Sequence, residues 1–417
     1  MQVTEQEFEN FIKQLDEPEW YTQYRKDCFK KFQTLDMPGF KQGLNIKIQP
    51  DFDFNSVRPK AKPEVIKKIT NPHDRIQIYS GNQMPHNDEL KEFIADKWKE
   101  PEDENKIYYF NEAFANDFSI ITGTPEKPAE IPTETPTQNQ TETPTQNQTE
   151  TPTELNDFAY IAYEITDTPI ITKTIILSNK FIHEIINTKT SSGNTIKYTS
   201  DDVRILGNGN HDLGYSTIQT LDKQTVHIQK RKAICEAQIK WNHFCFGSMY
   251  TKSTTNSDVN CPGVANTNTT LFIGDQDQQF DLYENVNNNA PKTRAFIKTV
   301  GALKGNAKAL TESLIRVDKN AHNSYGHEAQ RTILLSETAE ADAIPKLEIN
   351  NNDVQCSHAS SVGQIDEDLM FYLQSRGLDD KTSQNIVVKG TFEPYLNIFD
   401  ESLGQELDQI VDRALSG

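Results

Sequence analysis

The stretch SLIRVDKNAHNSYGHEAQRTILLSETAEADAIPKLEI, residues Ser313–Ile349, carries three short apolar runs: SLIRV at 313–317, TILL at 332–335 and KLEI at 346–349. Each alternates towards a period of two, the signature of a strand with one face buried. Their centres, near 315, 333 and 348, recur at intervals of about 15–20 residues. Such recurrence predicts a solenoid in which each run belongs to one coil. Ala- and Gly-containing segments lie around them (GALKGNAKAL, SETAEADAIP), and Asn-rich stretches at 285–289 and 350–353 suit tight corners. Asn tolerates the left-handed backbone such corners need.

The same short-period pattern extends back through TVHI (225–228), TIIL (174–177) and YIAYEI (160–165). No long helical pattern interrupts it between about 157 and 362, which excludes alternating βαβ units. A sandwich, barrel, propeller or parallel β-helix remains, and the spacing and corners favour the β-helix. A solenoid buries its faces by stacking coils, so its ends need caps.

Helical patterns flank this body. At the start, Thr4 and Glu7 form a capping-box pair, followed by Phe8, Phe11, Ile12 and Leu15 on one face. EPEWYTQYRKDCFKKFQTLDMP places Tyr24, Cys28 and Phe32 together, and DELKEFIADKW at 88–98 groups Leu90, Phe93 and Ile94. Beyond Gly363, Asp366, Glu367 and Asp368 suit the first turn of a helix. Leu369, Tyr372 and Leu373 then share a face, Gly377 fits the position after its end, and Asp379 caps the next helix. A last helix carries Leu403, Leu407, Ile410, Val411 and Ala414. The expected organisation is a helical region at 1–105, a β-helix core at 106–363 and a helical region at 364–417. The core is broken by an insertion at 124–155, where TETPTQNQ occurs at 133–140 and again at 141–148. That insertion has too little apolar surface to offset its ordering entropy and is expected to be disordered.

A formal net charge of −19 over 417 residues argues against phosphate-backbone binding, which needs clustered Lys and Arg. It argues equally against an anionic membrane surface. The chain starts without a basic and apolar leader, and no run of 18 apolar residues occurs, so no membrane span is expected. The five cysteines lack any C-x-x-C pair, which points to a reduced cytosol rather than a disulfide framework or zinc ribbon.

One pair of side chains stands out. In a strand, Cys356 and His358 point to the same face, with Val354 in the same row. Imidazole and thiolate are both good ligands for iron or zinc. Two ligands do not close a tetrahedral site, so the rest must come from elsewhere in the fold, from a second chain or from a transient cargo. The plainer reading is a small buried residue beside a hydrogen-bonded turn histidine. A Cys–His nucleophilic dyad is disfavoured by same-face spacing of roughly 6–7 Å. His322 and His327 bracket NSYG; a metal pair is conceivable there, but a turn histidine and a surface histidine are the plainer reading. His243 and Cys245 read as core, and GNGNHDLG at 207–214 lacks the strand-to-helix context of a phosphate loop. A polysaccharide-acting β-helix enzyme with an acid pair stays open, since acidic residues abound and none is picked out.

The run DVQCSHASSVGQIDEDLMFYLQSRGL, 353–378, resembles the C-terminal signature of the SufB/SufD family of the SUF iron–sulfur cluster assembly system. The SufD branch commonly carries D-V-x-C-S-H-G-A-T-V-G-Q-L-D, then a helix ending F-Y-L-x-x-R-G. Asp353, Val354, Cys356, Ser357, His358, Val362, Gly363, Gln364 and Asp366 match, then Phe371, Tyr372, Leu373, Arg376 and Gly377. KLEI at 346–349 and HEAQ at 327–330 fit the same alignment. Ala359-Ser360-Ser361 departs from Gly-Ala-Thr, the insertion is not a family feature, and EPEWYTQYRKDCFKKF looks nearer the SufB branch.

The resemblance implies a right-handed parallel β-helix with helical flanks. It also implies pairing with a SufB-like paralogue through the β-helices, and docking of a SufC-like ABC ATPase on the C-terminal helices. A nascent iron–sulfur cluster or iron would form at the subunit junction, where His358 matches a family histidine and Cys356 stands beside it. The resemblance also admits reduced flavin at the level of the complex. SufB's cysteine is expected one coil earlier; here that coil is expected at Leu335–Asp342, which holds no thiol, favouring a SufD-like role. The resulting expectation is a non-enzymatic cytoplasmic scaffold subunit, with an undifferentiated SufB/SufD-type homodimer as the alternative.

Overall fold

The computed structural model describes residues 3–39, 43–70, 76–80, 105–123, 158–177, 181–188, 196–207, 213–396 and 401–416. The expected helix at 88–98 and the insertion at 124–155 lie outside them.

Two helices, α1 (Glu5–Ile12) and α2 (Glu19–Thr34), open the chain. The capping box of α1 is present: the Glu7 N–H donates to Thr4 Oγ1 at 3.3 Å, and the Thr4 N–H donates to Glu7 Oε2 at 2.7 Å. Strands β1 (Val65–Thr70) and β2 (Ile76–Ser80) then lie inside the stretch expected to be mostly helical. VIKKIT and IQIYS are too short to outweigh the helical patterns around them. Helix α3 (Lys106–Phe114) follows, then β3 (Asp117–Gly123), β4 (Phe158–Ile165), β5 (Ile170–Leu177), β6 (Phe181–Thr188) and β7 (Lys197–Gly207). After these come β8 (Leu213–Thr220), β9 (Thr225–Cys235), β10 (Ile239–Cys245), β11 (Tyr250–Val259), β12 (Ala265–Gly274) and β13 (Gln279–Asn288). The last strands are β14 (Arg294–Leu303), β15 (Lys308–Val317), β16 (Ser324–Leu334), β17 (Glu340–Ile349) and β18 (Val354–Gln364). Helices α4 (Glu367–Ser375), α5 (Asp380–Leu396) and α6 (Glu401–Ser416) close the chain.

The strands form two walls. One runs β1-β4-β6-β8-β10-β12-β14-β16-β18, the other β17-β15-β13-β11-β9-β7-β5-β3-β2. Apart from the antiparallel pairs β1–β4 and β2–β3, every pairing is parallel. From β3 onward successive strands alternate between walls, and the chain winds as a mainly-β parallel solenoid flanked by helices. In-register partners set the coil length. Tyr250 pairs with Gln279, Gln279 with Lys308 and Lys308 with Glu340; Arg294 pairs with Tyr325 and Ser324 with Val354. These steps are 29–32 residues. The 15–20-residue interval expected to be one coil is thus half of one: Ile315 and Ile333 sit on opposite walls. Each run repeats on its own wall only after the chain has crossed and returned.

Apolar residues lie on both faces of the walls, inside the coil and beneath the flanking helices. Inside, Ile121, Ile161, Tyr163, Ile205, Tyr215, Trp241, Ile297 and Ile315 form the axial core. Outside the odd-numbered wall, Phe8, Phe29, Phe32, Phe110 and Phe114 from α1–α3 pack towards Ile171, Tyr198 and Val226. Glu112 of α3 reaches that wall through Lys173 and Arg204. Burial alone would raise its pKa, but these two cations hold the carboxyl well below the usual range. Outside the even-numbered wall, Val388, Phe392, Leu403, Leu407 and Val411 of α5 and α6 cover Ile218, Phe244, Leu271, Val300 and Ile333.

Candidate functional site: the open last coil

β18 ends its wall, with β16 on one side and, among the described residues, no strand on the other. Along it the inward row is Val354, Cys356, His358, Ser360 and Val362, continuing Ser324, Gly326, Glu328, Gln330 and Thr332 of β16. Two contacts fix this assignment. A Cβ built on Gly326 would stand 3.0 Å from Cys356 Sγ, with Ile315 next nearest at 3.1 Å. On the outer face, His327 Nδ1 lies 2.9 Å from Ser357 Oγ. Cys356 is half-buried against the axial core, and that burial pushes its thiol pKa up.

His358 continues the same inward row, but among the described residues no rung lies beyond it, and its side chain is exposed. The ring is not sealed inside the stack. Val362 and Ile349 are exposed on the same terminal strands. An uncovered pair of edge strands is a template for another chain.

The residue one coil before His358 is Glu328, its in-register partner. The segment 335–342, expected to be that coil, instead forms the bend out of β16 and the start of β17. It stands half a coil away because the coil is twice the expected length. β16 itself carries no cysteine. Glu328 is fully buried. Its Oε1 accepts from Ser313 Oγ, and from Gln330 Nε2 at 3.1 Å. Its Oε2 makes no hydrogen bond among the described residues. Burial raises the carboxyl's pKa, opposed by Ser313, Gln330, the nearby His358 imidazole and the Lys346 N–H. Sequence reading missed Glu328, because only the true coil length reveals what lies 30 residues before His358.

The other candidates fall apart as sites. His243 and Cys245 point inward and are buried; His243 Nε2 lies 3.2 Å from Thr255 Oγ1, and burial drives its pKa well below the ordinary value. His322 sits exposed in a turn, while His327 faces outward against Ser357. Of GNGNHDLG, Gly207 ends β7 and Leu213 opens β8, and residues 208–212 lie outside the described residues. Among the described residues, no three His, Cys, Asp or Glu side chains stand together as a metal site, and no helix is long and apolar enough to cross a membrane.

These observations define a parallel β-solenoid with helices packed on both walls and one uncapped end presenting an imidazole and a half-buried thiol. Residues 171–391, more than half of the chain, match the family described as SUF system FeS cluster assembly, SufBD core domain. The chain belongs to that family. It is similar to the iron–sulfur cluster assembly protein SufD of Bacillus subtilis, 22% identical over 61% of this chain and 60% of that protein. It is also similar to SufB of the same organism, 21% identical over 49% of this chain and 44% of that protein. A SufBD family protein of Staphylococcus saprophyticus is 20% identical over 98% of this chain and 93% of its own length.

Proposed function

We propose that this chain is a SufD-like scaffold subunit of an iron–sulfur cluster assembly complex in the cytoplasm, without catalytic activity of its own. It pairs through the open last coil with a SufB-like paralogue and docks a SufC-like ABC ATPase on residues 364–417. His358, with Cys356 beside it, supplies part of the ligand set for nascent cluster or iron, and the partner supplies the rest. The cluster is cargo. The ligand set for the cluster is complete only while the partner is present, so the cluster is released when it leaves. No residue of this chain is assigned to reduced flavin.

The observation that carries this reading is the exposure of His358 at the uncapped end of the stack. The absence of a thiol from β16 favours the SufD-like assignment over a sulfur-accepting one. The division into 1–105, 106–363 and 364–417 is part of the proposal: the helical ends serve as cap and docking platform, the coils as the rod between them. On α4, Leu369, Phe371 and Tyr372 are exposed, which suits a platform awaiting a partner. A homodimer of this chain is the second reading, favoured by similarity to relatives named for both branches.

Anaerobic co-expression with the candidate partners tests it, with iron and sulfide measured on the purified complex. His358→Ala should leave the complex assembled and abolish cluster build-up; a normal cluster yield refutes the role of His358.

A further inference from the structure

We propose that Glu328 is an iron ligand, setting a carboxylate oxygen beside the His358 nitrogen at the open end of the solenoid. The proposal rests on the reading of His358 given above. Glu328 and His358 are direct register partners on adjacent parallel strands. Neighbouring strands lie about 4.8 Å apart, so their side chains, both in the inward row, project as neighbours.

The two carboxylate oxygens differ. Oε1 is anchored by Ser313 and Gln330, and Gln330 is itself held by Thr311 Oγ1, which donates to its Oε1 at 2.7 Å. That chain of hydrogen bonds fixes the plane of the carboxylate, as outer partners do for metal ligands. Oε2 is left without a hydrogen bond among the described residues, although Glu328 is fully buried. Buried polar atoms are almost always satisfied, and an orphan calls for an explanation. A cation at the mouth of the stack provides one.

The donor set suits ferrous iron, which accepts carboxylate oxygen and imidazole nitrogen together. Cys356, two residues along the same row, offers sulfur as the cluster grows. Binding exchanges two waters on the aqua ion for two protein donors. Any proton on either group is released, and no electron moves.

The test is anaerobic calorimetric titration of the full-length chain with Fe²⁺ alone, with thermal melting as the check on folding. Wild type should bind. Glu328→Gln keeps the shape and the Oε1 acceptor, and should melt like wild type while losing affinity about tenfold or more. His358→Ala should lose affinity as well. Glu328→Gln binding as tightly as wild type, with His358→Ala impaired, overturns the role of Glu328 and leaves that of His358 standing. Both variants binding like wild type overturns the two together. A wild-type chain that takes up no Fe²⁺ overturns this proposal alone, because it claims two donors within one chain.

Discussion

Ser357 Oγ and His327 Nδ1, 2.9 Å apart, tie the last two rungs together on the outer face. A one-residue slip of β18 would break this contact and turn every inward side chain outward. The inward placement of Cys356 and His358 is therefore a matter of register, and register can be probed chemically.

Native thiol labelling reads it directly. Cys28, Cys235 and Cys245 are buried, whereas Cys261 and Cys356 are partly exposed. Maleimide should modify only the last two, with Cys356 reacting faster as pH rises because burial raises its pKa. A partner seated on the open coil should shield Cys356 and spare Cys261. Mass spectrometry of the adducts checks both statements, and equal shielding of the two thiols would contradict docking at that end.

The buried Glu284 gives stability a pH dependence of definite sign. Burial pushes its pKa up to about 7, helped by Glu328 and opposed by Thr270, Asn268 and Arg231. An unfolded Glu titrates near about 4.3. The folded chain thus holds the extra proton between these values, and stability falls as pH rises across that window. Denaturation at pH 4 and pH 8 should show a smaller fall for Glu284→Gln than for wild type.

Gly301 is required by its neighbour. It lies in register with Phe272 on the rung before it, and a Cβ there would run into the Phe272 ring. Gly301→Ala should destabilise by about 1–3 kcal/mol, the usual range for overpacking a closed core. Urea denaturation measures it, and a neutral result would mean that the ring can move aside.

Phe371 separates docking from folding. It is 73% exposed on α4. Phe371→Ser should leave the melting temperature within the spread of ordinary surface changes, about ±0.5 kcal/mol in stability. The proposed ATPase should no longer co-purify. Retention of the ATPase would move the docking surface elsewhere.

A β-body was legible from about 157 to 362 through runs such as 160–165, 225–228 and 313–317, because apolar alternation marks a strand whatever it pairs with. The coil length was not, because alternation says nothing about which run pairs with which. Runs on opposite walls look alike in sequence, so SLIRV, TILL and KLEI suggested three coils where the chain makes little more than one. That error hid Glu328, whose relation to His358 exists only in the register. Cys356 and His358 were legible as same-face neighbours, but their exposure was not, since it depends on β18 standing last in its wall among the described strands. The face of α4 read as apolar from Leu369, Tyr372 and Leu373, yet it is not buried within this chain; sequence cannot tell an internal contact from one awaiting another molecule.

Helices α5 and α6 lie like a splint along the even-numbered wall. Their apolar stripe shares one buried cluster with Ile218, Phe244, Leu271, Val300 and Ile333, drawn from five successive rungs. A pull on these helices is therefore shared by most of the wall instead of peeling off its final strand.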